Sequence, residues 1–152
     1  MVPRSPPRVI EIEETIVQLI PYLTFNGQCE AAFKFYAQCL GGKIVAMITH
    51  VETPAAAHVP ADRQDKIMHA RLLVGDAVLL GSDNPPEVFE EAKGTYVYLQ
   101  ANDPVEAERI FHALAEGGTV RMPIEETFWA ARFGIVIDRF GTQWLVSCEK
   151  AA

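Results

Sequence analysis

The sequence is poor in cysteine, in basic charge and in long apolar runs, and each shortage excludes a class of protein. Only three of its 152 residues are cysteines, too few for the disulfide framework of a small secreted domain. Thirteen Lys and Arg against twenty Asp and Glu give a net charge of −7, which disfavours nucleic acid as a partner. No apolar run approaches the roughly 20 residues of a membrane-spanning helix. We therefore expect a cytoplasmic protein with free thiols and no membrane or nucleic-acid partner.

Two segments differ in composition from the rest of the chain. Residues 1–16 contain three prolines and no apolar stretch of signal-peptide length, and we expect them to form an N-terminal tail. Residues 84–93 combine turn-forming residues with charge, which is typical of a linker. The chain is thus predicted to contain a first module over residues 17–83 and a second module over residues 94–149.

Both modules show the same order of patterns. Each has one apolar stripe with helical spacing, closed by a pair of glycines: Phe33, Tyr36, Ala37 and Leu40 before Gly41-Gly42, and Ala107, Ile110, Phe111 and Leu114 before Gly117-Gly118. Asp103, followed by Pro104 and Glu106, is a typical N-cap for the second helix. One strand-like run precedes each helix and three follow it: Ile16–Phe25, Lys43–Val51, Lys66–Val74 and Ala77–Leu80, then Thr95–Ala101, Thr119–Pro123, Ala131–Ile137 and Gln143–Cys148.

The repetition predicts an α+β fold built from two βαβββ modules. One helix covers only one face of a four-stranded sheet, so the other face of each sheet must be buried elsewhere or enclose a ligand. Two such sheets facing each other would enclose a cleft.

Three stretches of the chain resemble a known superfamily: PYLTFNGQCEAAFKFYAQCLGG at 21–42, KIMHARLLVGDAVLLGSD at 66–83 and FWAARFGIVIDRFGTQWLV at 128–146. They are similar to the vicinal oxygen chelate superfamily, the glyoxalase/bleomycin-resistance fold, and within it to the PhnB-like branch. The resemblance covers residues 17–149. It implies a partly open barrel that holds a metal, a substrate or a drug. It also implies a homodimer, because members are commonly homodimers and PhnB-like relatives are often dimers that exchange modules.

The catalytic members of that superfamily bind a divalent metal through four His, Gln or Glu side chains. The resemblance places these positions at about Pro21, Leu80, Thr95 and Leu145. Proline and leucine have no side-chain lone pair, and threonine alone is a poor ligand for Zn, Ni or Fe. We therefore expect neither a metal nor another cofactor. No Gly-rich loop joins a strand to a helix in the pattern that nucleotide-type cofactors use, which argues against the methyltransferase name that some PhnB-like proteins carry.

The candidate ligand-binding residues come from strand alternation and from the aromatic run. Ile67, His69, Arg71 and Leu73 share one face of their strand, and Met68, Ala70, Leu72 and Val74 share the other, which is apolar enough for a core. His69 and Arg71 therefore face either the cleft or solvent. Gln143 and Leu145 alternate in the same way with Trp144, Val146 and Cys148, which should pack on a helix. The remaining candidates lie in or just before the FWAARFG run: Glu125, Phe128, Trp129 and Arg132. For Glu125 the alternative is a charged loop. For the other three residues the alternative is packing in a dimer interface.

These observations favour a dimeric, metal-free protein that binds a small organic molecule, with no identified catalytic residue. The alternatives are a metal-dependent lyase, epimerase or dioxygenase, and a drug-sequestering resistance protein. The ligand itself is not encoded in any pattern that the sequence displays.

Overall fold

The computed structural model of the protein describes residues 17–151, so the predicted tail at 1–16 lies outside the described residues. Two four-stranded mixed sheets and two helices confirm the predicted α+β fold with two βαβββ units. The first unit consists of β1 (Tyr22–Phe25), α1 (Cys29–Leu40), β2 (Lys43–Thr49), β3 (Ile67–Val74) and β4 (Ala77–Asp83). The second consists of β5 (Val97–Ala101), α2 (Pro104–Ala115), β6 (Thr119–Glu125), β7 (Ala130–Ile137) and β8 (Gln143–Glu149).

The two sheets have the same strand order. β1 lies at the edge of the first sheet in the order β1-β4-β3-β2, and β5 lies at the edge of the second in the order β5-β8-β7-β6. The edge strand is parallel to its neighbour in both sheets, and the other pairs are antiparallel. Sequence predicted the first strand to begin at Ile16, but β1 begins at Tyr22, directly after Pro21, whose nitrogen has no hydrogen to donate to a ladder.

The end of α1 and the start of α2 follow from local chemistry. Gly41 ends α1 in the left-handed region, at φ 67°. Glycine adopts this conformation without strain because it has no Cβ atom. Asp103 caps α2, and its side chain accepts a hydrogen bond from the backbone N–H of Glu106 at 2.9 Å. The predicted end of α1 at Gly41 and the predicted N-cap of α2 at Asp103 are therefore confirmed.

The apolar stripes of the helices form one continuous core with the covered faces of the sheets. Phe33 and Tyr36 of α1 and Phe111 and Leu114 of α2 are buried, as are the sheet residues beneath them. These sheet residues include Ala70, Leu72, Trp144, Val146 and Cys148. All three cysteines are free and buried, in agreement with the expectation of unpaired thiols.

The alternation predicted for β3 breaks at one point. Ile67 was predicted to share a face with His69 and Arg71, but it is buried in the core at 1 % exposure. Ile48 of β2 pairs with His69 and Thr49 pairs with Ile67, which leaves Met68 as an extra residue on β3. Such a bulge reverses the side on which the preceding residues lie. The alternation holds from His69 onwards, since Ala70 and Leu72 are both buried.

No described strand of one sheet pairs with a strand of the other. The contacts between the two units are therefore made by side chains. The Tyr36 hydroxyl of α1 donates a hydrogen bond to Oγ1 of Thr142 at 2.8 Å, and its ring lies 5.2 Å from that of Trp144 on β8. Phe35 and Phe140 form a further aromatic contact, with 5.7 Å between their ring centroids.

Candidate functional site

Each sheet has a helix on one face and no helix on the other, which we call its open face. On the first sheet, residues that alternate with Ala70 and Leu72 lie on the open face. The register sets Arg71 of β3 between Ala46 of β2 and Leu80 of β4 and places Ile48 beside His69. The basic residues of this face are thus set among aliphatic side chains.

His69 and Arg71 are partly exposed, and neither side chain makes a hydrogen bond or an ion pair with any residue between 17 and 151. A guanidinium group presents a rigid fork of donors that matches a carboxylate or a phosphoryl group, and an imidazole adds one donor or acceptor. The structure therefore brings two of the sequence-predicted ligand residues together on one uncovered face. Their role in ligand binding stays a prediction.

The open face of the second sheet is mainly apolar. Leu145 on β8 lies between Tyr98 of β5 and Ile135 of β7, and Ser147 pairs with Phe133 of β7. Gln143 is buried at 5 % exposure, and its Nε2 donates a hydrogen bond to the carbonyl oxygen of Thr95 at 2.8 Å. Part of the Gln143 amide is therefore engaged in holding the start of β5 against β8.

The turn between β6 and β7 carries two exposed aromatic side chains. Phe128 is 89 % exposed and Trp129 is 51 % exposed, and their ring centroids lie 4.8 Å apart. The Trp129 ring also contacts Phe133, at 5.4 Å, in a T-shaped arrangement. Glu125 pairs with Phe133 from the end of β6 and is exposed. Glu125 and Trp129 thus lie beside Phe133, and Phe128 contacts Trp129. Phe133 was not among the sequence-predicted ligand residues, although strand alternation places it on the face opposite to Arg132.

Arg132 lies apart from these residues. Its Nε donates to Oε1 of Glu108 on α2 at 2.8 Å, and its Nη1 donates to the carbonyl oxygen of Ala131 at 2.6 Å. Two of the three guanidinium nitrogens of Arg132 are therefore already engaged within the chain.

The four positions at which the resemblance implies metal ligands do not fit a metal. Leu80 and Leu145 lie on the open faces of β4 and β8, and neither has a donor atom in its side chain. Pro21 likewise has no donor atom in its side chain, and Thr95 offers only a hydroxyl group, which is a poor ligand for Zn, Ni or Fe. No group of three or more His, Cys, Asp or Glu side chains that could hold an ion occurs within residues 17–151. These four side chains therefore do not provide a metal-binding site.

Two cavities lie where the units meet, and neither includes His69 or Arg71. The first, of about 600 Å³, lies between residues 18–21 and residues 97–100 and is mainly apolar. The second, of about 760 Å³, lies between residues 22–24 and residues 94–96, below the segment 89–93. Both cavities are therefore lined by residues from the edge segments of both sheets.

The thiol of Cys29 is fully buried. Burial, and after it the nearby Asp83 carboxylate, raises the pKa of this thiol far above its ordinary value. Both oxygens of Asp83 are occupied, because Oδ1 accepts from the backbone N–H of Cys29 and Oδ2 from that of Ile67, each at 2.9 Å. This pair connects the start of α1 to the start of β3 and is structural, since a reactive cysteine requires an accessible thiolate.

No helix among the described residues is long and apolar enough to cross a membrane. This finding agrees with the sequence, in which no apolar run reaches that length. The cytoplasmic location stays an expectation.

Comparison with known proteins identifies a matching family and several relatives. Residues 17–147 match the family described as 3-demethylubiquinone-9 3-methyltransferase. Protein YjdN of Escherichia coli K12 is 31% identical over 140 residues, which cover 87% of this chain and 95% of that protein. The crystal structure of PA1353 from Pseudomonas aeruginosa shares 50% identity at a TM-score of 0.82 and covers 90% of this chain and 100% of its own.

More distant structures share the fold alone. A putative 3-demethylubiquinone-9 3-methyltransferase, PhnB protein, from Bacillus cereus is 21% identical, with a TM-score of 0.73 and coverage of 87% of this chain and 99% of its own. A member of the glyoxalase/bleomycin resistance protein/dioxygenase superfamily from Sphaerobacter thermophilus is 22% identical, with a TM-score of 0.52 and coverage of 88% of this chain and 98% of its own. The glyoxalase/bleomycin-resistance fold that the resemblance implied is therefore confirmed. The two open sheets, each with one covering helix, and the match over residues 17–147 together establish that this chain belongs to the PhnB-like 3-demethylubiquinone-9 3-methyltransferase family.

Proposed function

We propose that the protein binds a small carboxylated or planar organic molecule on the open faces of its sheets, without a metal ion. The observation that carries this proposal is the position of His69 and Arg71. Both lie on an uncovered sheet face among aliphatic residues, and neither has a partner among the described residues. An unpaired guanidinium group beside apolar surface matches a ligand with one anionic end and an apolar body.

The second sheet offers the complementary wall. Its open face presents Leu145, Ile135 and Phe133, and the Phe128–Trp129 turn extends that apolar surface into solvent. One face would supply the charged contact, and the other would supply aromatic and aliphatic contact area. Ligand pockets in proteins commonly combine these features, with a few polar groups that fix the orientation.

We propose further that a second copy of the chain completes the site. His69 and Arg71 line neither of the two cavities between the units, so an open face needs a cover from outside the chain to exclude water from a ligand. The exposed Phe128 and Trp129 rings are the kind of side chain that anchors a protein interface. In such a homodimer, the open face of one copy would lie against that of its partner.

The binding proposal is tested with a thermal-shift screen of carboxylated metabolites against cationic glycopeptides, followed by calorimetry on the compounds that raise Tm. Arg71→Gln is expected to weaken binding of a carboxylated hit about tenfold or more, the loss of one charge-assisted contact. Arg109→Gln, which removes an exposed arginine of α2, is the matched control and should bind normally. Stabilisation by cationic glycopeptides alone would favour drug sequestration and contradict the proposal.

Two further measurements test the metal-free and dimeric parts of the proposal. Metal analysis of the untagged protein before and after EDTA should show no stoichiometric Ni, Zn or Fe and no change in Tm; bound metal lost together with stability would favour the metal-dependent alternative. Light scattering should give twice the monomer mass. Trp129→Ser should shift the equilibrium towards monomer, whereas a monomeric parent protein would refute the shared site.

A further inference from the structure

Three basic residues line the second cavity between the units. Its volume of about 760 Å³ lies within the range of about 300–1,000 Å³ that is usual for small-molecule sites. Arg121, Arg139 and Lys93 all line it, together with Glu90 and Glu91. Three of the thirteen basic residues thus surround one cavity in a chain whose net charge is −7.

None of these three basic side chains forms an ion pair with a carboxylate elsewhere in residues 17–151. The ion pairs of that region involve other residues, namely Lys34, Arg109 and Arg132. Glu90 and Glu91 line the same cavity but lie beyond 4.0 Å from the basic nitrogens. The cations of this cavity are therefore free to meet an anion from solution.

Arg139 is held in place by aromatic contacts. The central carbon of its guanidinium group lies 4.2 Å from the ring centroid of Phe35 and 5.0 Å from that of Phe140. Contact with ring faces orients the guanidinium plane and leaves its N–H edges available for a planar acceptor. Its aliphatic stem also passes close to Gly117, where an added Cβ would come within 3.2 Å of the Arg139 Cδ.

A bulge brings Arg121 into the cavity. Val120 pairs with Val136 and Met122 pairs with Ile135, so Arg121 is an extra residue on β6. Bulges redirect a side chain away from the regular alternation. The cavity wall also includes Tyr22 and Tyr96, both exposed, which offer a surface against which an aromatic or aliphatic body can pack.

We infer that this cavity is a second ligand site, specific for a small organic anion whose carboxylate or phosphoryl group binds Arg121 and Arg139. The site is distinct from the open face that carries His69 and Arg71, since neither residue lines the cavity. Lys93 lies in the segment that joins the two units and adds a third positive charge at the rim. Binding there would connect both units with the segment between them.

The inference is tested with two anionic probes, benzoate and phenylphosphonate, and with benzamide as the neutral analogue of benzoate. Both anions should bind and benzamide should not. Preference between the two anions identifies the carboxylate or the phosphoryl group as the better match. In ¹H–¹⁵N spectra the amide signals of Gly94, Gly141 and Thr142 should shift on binding, while that of Gly75 in the β3–β4 turn should not.

Variants separate this site from the open face. Arg121→Gln should weaken anion binding about tenfold, as expected for the loss of a charge-assisted contact, and Lys43→Gln on the exposed start of β2 is the matched control. Arg139→Lys keeps the charge but removes the fork, so it should weaken binding while preserving Tm better than Arg139→Gln. Equal binding of benzamide and benzoate, no binding of either anion, or a loss confined to Arg71→Gln would overturn the inference.

Discussion

The hydroxyl of Tyr36 donates a hydrogen bond to Oγ1 of Thr142 across 2.8 Å, and both residues are buried. This contact joins α1 of the first unit to the residue that precedes β8 of the second. The two residues are separated by 106 positions in the chain. Because the sheets share no ladder, this bond and the aromatic contacts around it hold the two units in one arrangement.

Tyr36→Phe should therefore destabilise the protein without altering its secondary structure. Removing the hydroxyl leaves the Thr142 oxygen without this partner, at an expected cost of about 1 kcal/mol. Urea unfolding measures the change, and Thr142→Val is the reciprocal variant. If the two groups act through each other, the double variant should cost less than the sum of the single changes. Strict additivity would show that the bond does not couple the units.

The contact between Asp83 and the start of α1 gives a second prediction. Asp83→Asn keeps one acceptor oxygen for two buried N–H groups, those of Cys29 and Ile67, and an amide nitrogen cannot accept the other bond. We expect a loss of about 1.5–3 kcal/mol. The measurement is denaturant unfolding, with Asp62→Asn, an exposed position in a 3-10 turn, as the control.

The same variant should also expose Cys29 more often. Its thiol is fully buried, so it reacts only through opening of the structure, and the reaction rate follows the opening equilibrium. Peptide-resolved alkylation should therefore be about 10- to 100-fold faster at Cys29 in Asp83→Asn than in the parent protein. An unchanged rate at Cys29 would contradict the assigned role of Asp83.

The raised pKa of Cys29 predicts a loss of stability in alkaline solution. Burial first, and then Asp83 and Glu30, raises the pKa of the folded thiol above its ordinary value of 9.0. Above pH 9 the unfolded chain releases this proton while the folded chain keeps it, so the free energy of unfolding falls with rising pH. One such group contributes a slope of about 1.4 kcal/mol per pH unit. In Cys29→Ala the decrease between pH 9 and 10.5 should be shallower; identical slopes would refute this assignment.

Local chemistry was sufficient to predict the elements that depend on neighbouring residues. The stripe of Phe33 and Tyr36 identified α1, and Asp103 with Pro104 identified the start of α2. Alternation also placed Trp144, Val146 and Cys148 in the core. These features depend on residues within a turn or two of each other, where backbone geometry fixes which side chains share a face.

Features set by distant partners could not be derived in this way. The bulge at Met68 buries Ile67, and only the pairing with β2 determines its position. The ion pair of Arg132 with Glu108 depends on how α2 packs on β7, so the sequence around Arg132 does not reveal it. The cavity around Arg121 and Arg139 joins residues from both units, so no single segment contains the signal.

Gly81 provides the sharpest test of how α1 packs on its sheet. A Cβ added at this position would lie 2.6 Å from a ring carbon of Phe33 and 3.0 Å from the carbonyl oxygen of Leu23. Gly81→Ala should therefore destabilise the first unit by about 1–3 kcal/mol through overpacking. Ala77→Gly, at the exposed start of the same strand, controls for the backbone effect of exchanging glycine and alanine.

A smaller side chain at position 33 tests whether contact with the Phe33 ring causes the destabilisation by Gly81→Ala. Phe33→Leu alone should destabilise the protein, because it removes part of a fully buried ring and leaves a cavity. Combined with Gly81→Ala, it should cost less than the two single changes together, since the new methyl group would occupy part of the space that the ring had filled. Thermal unfolding of the four proteins gives the coupling. Additive losses would mean that the backbone at Leu23, and not the Phe33 ring, is what requires glycine at this position.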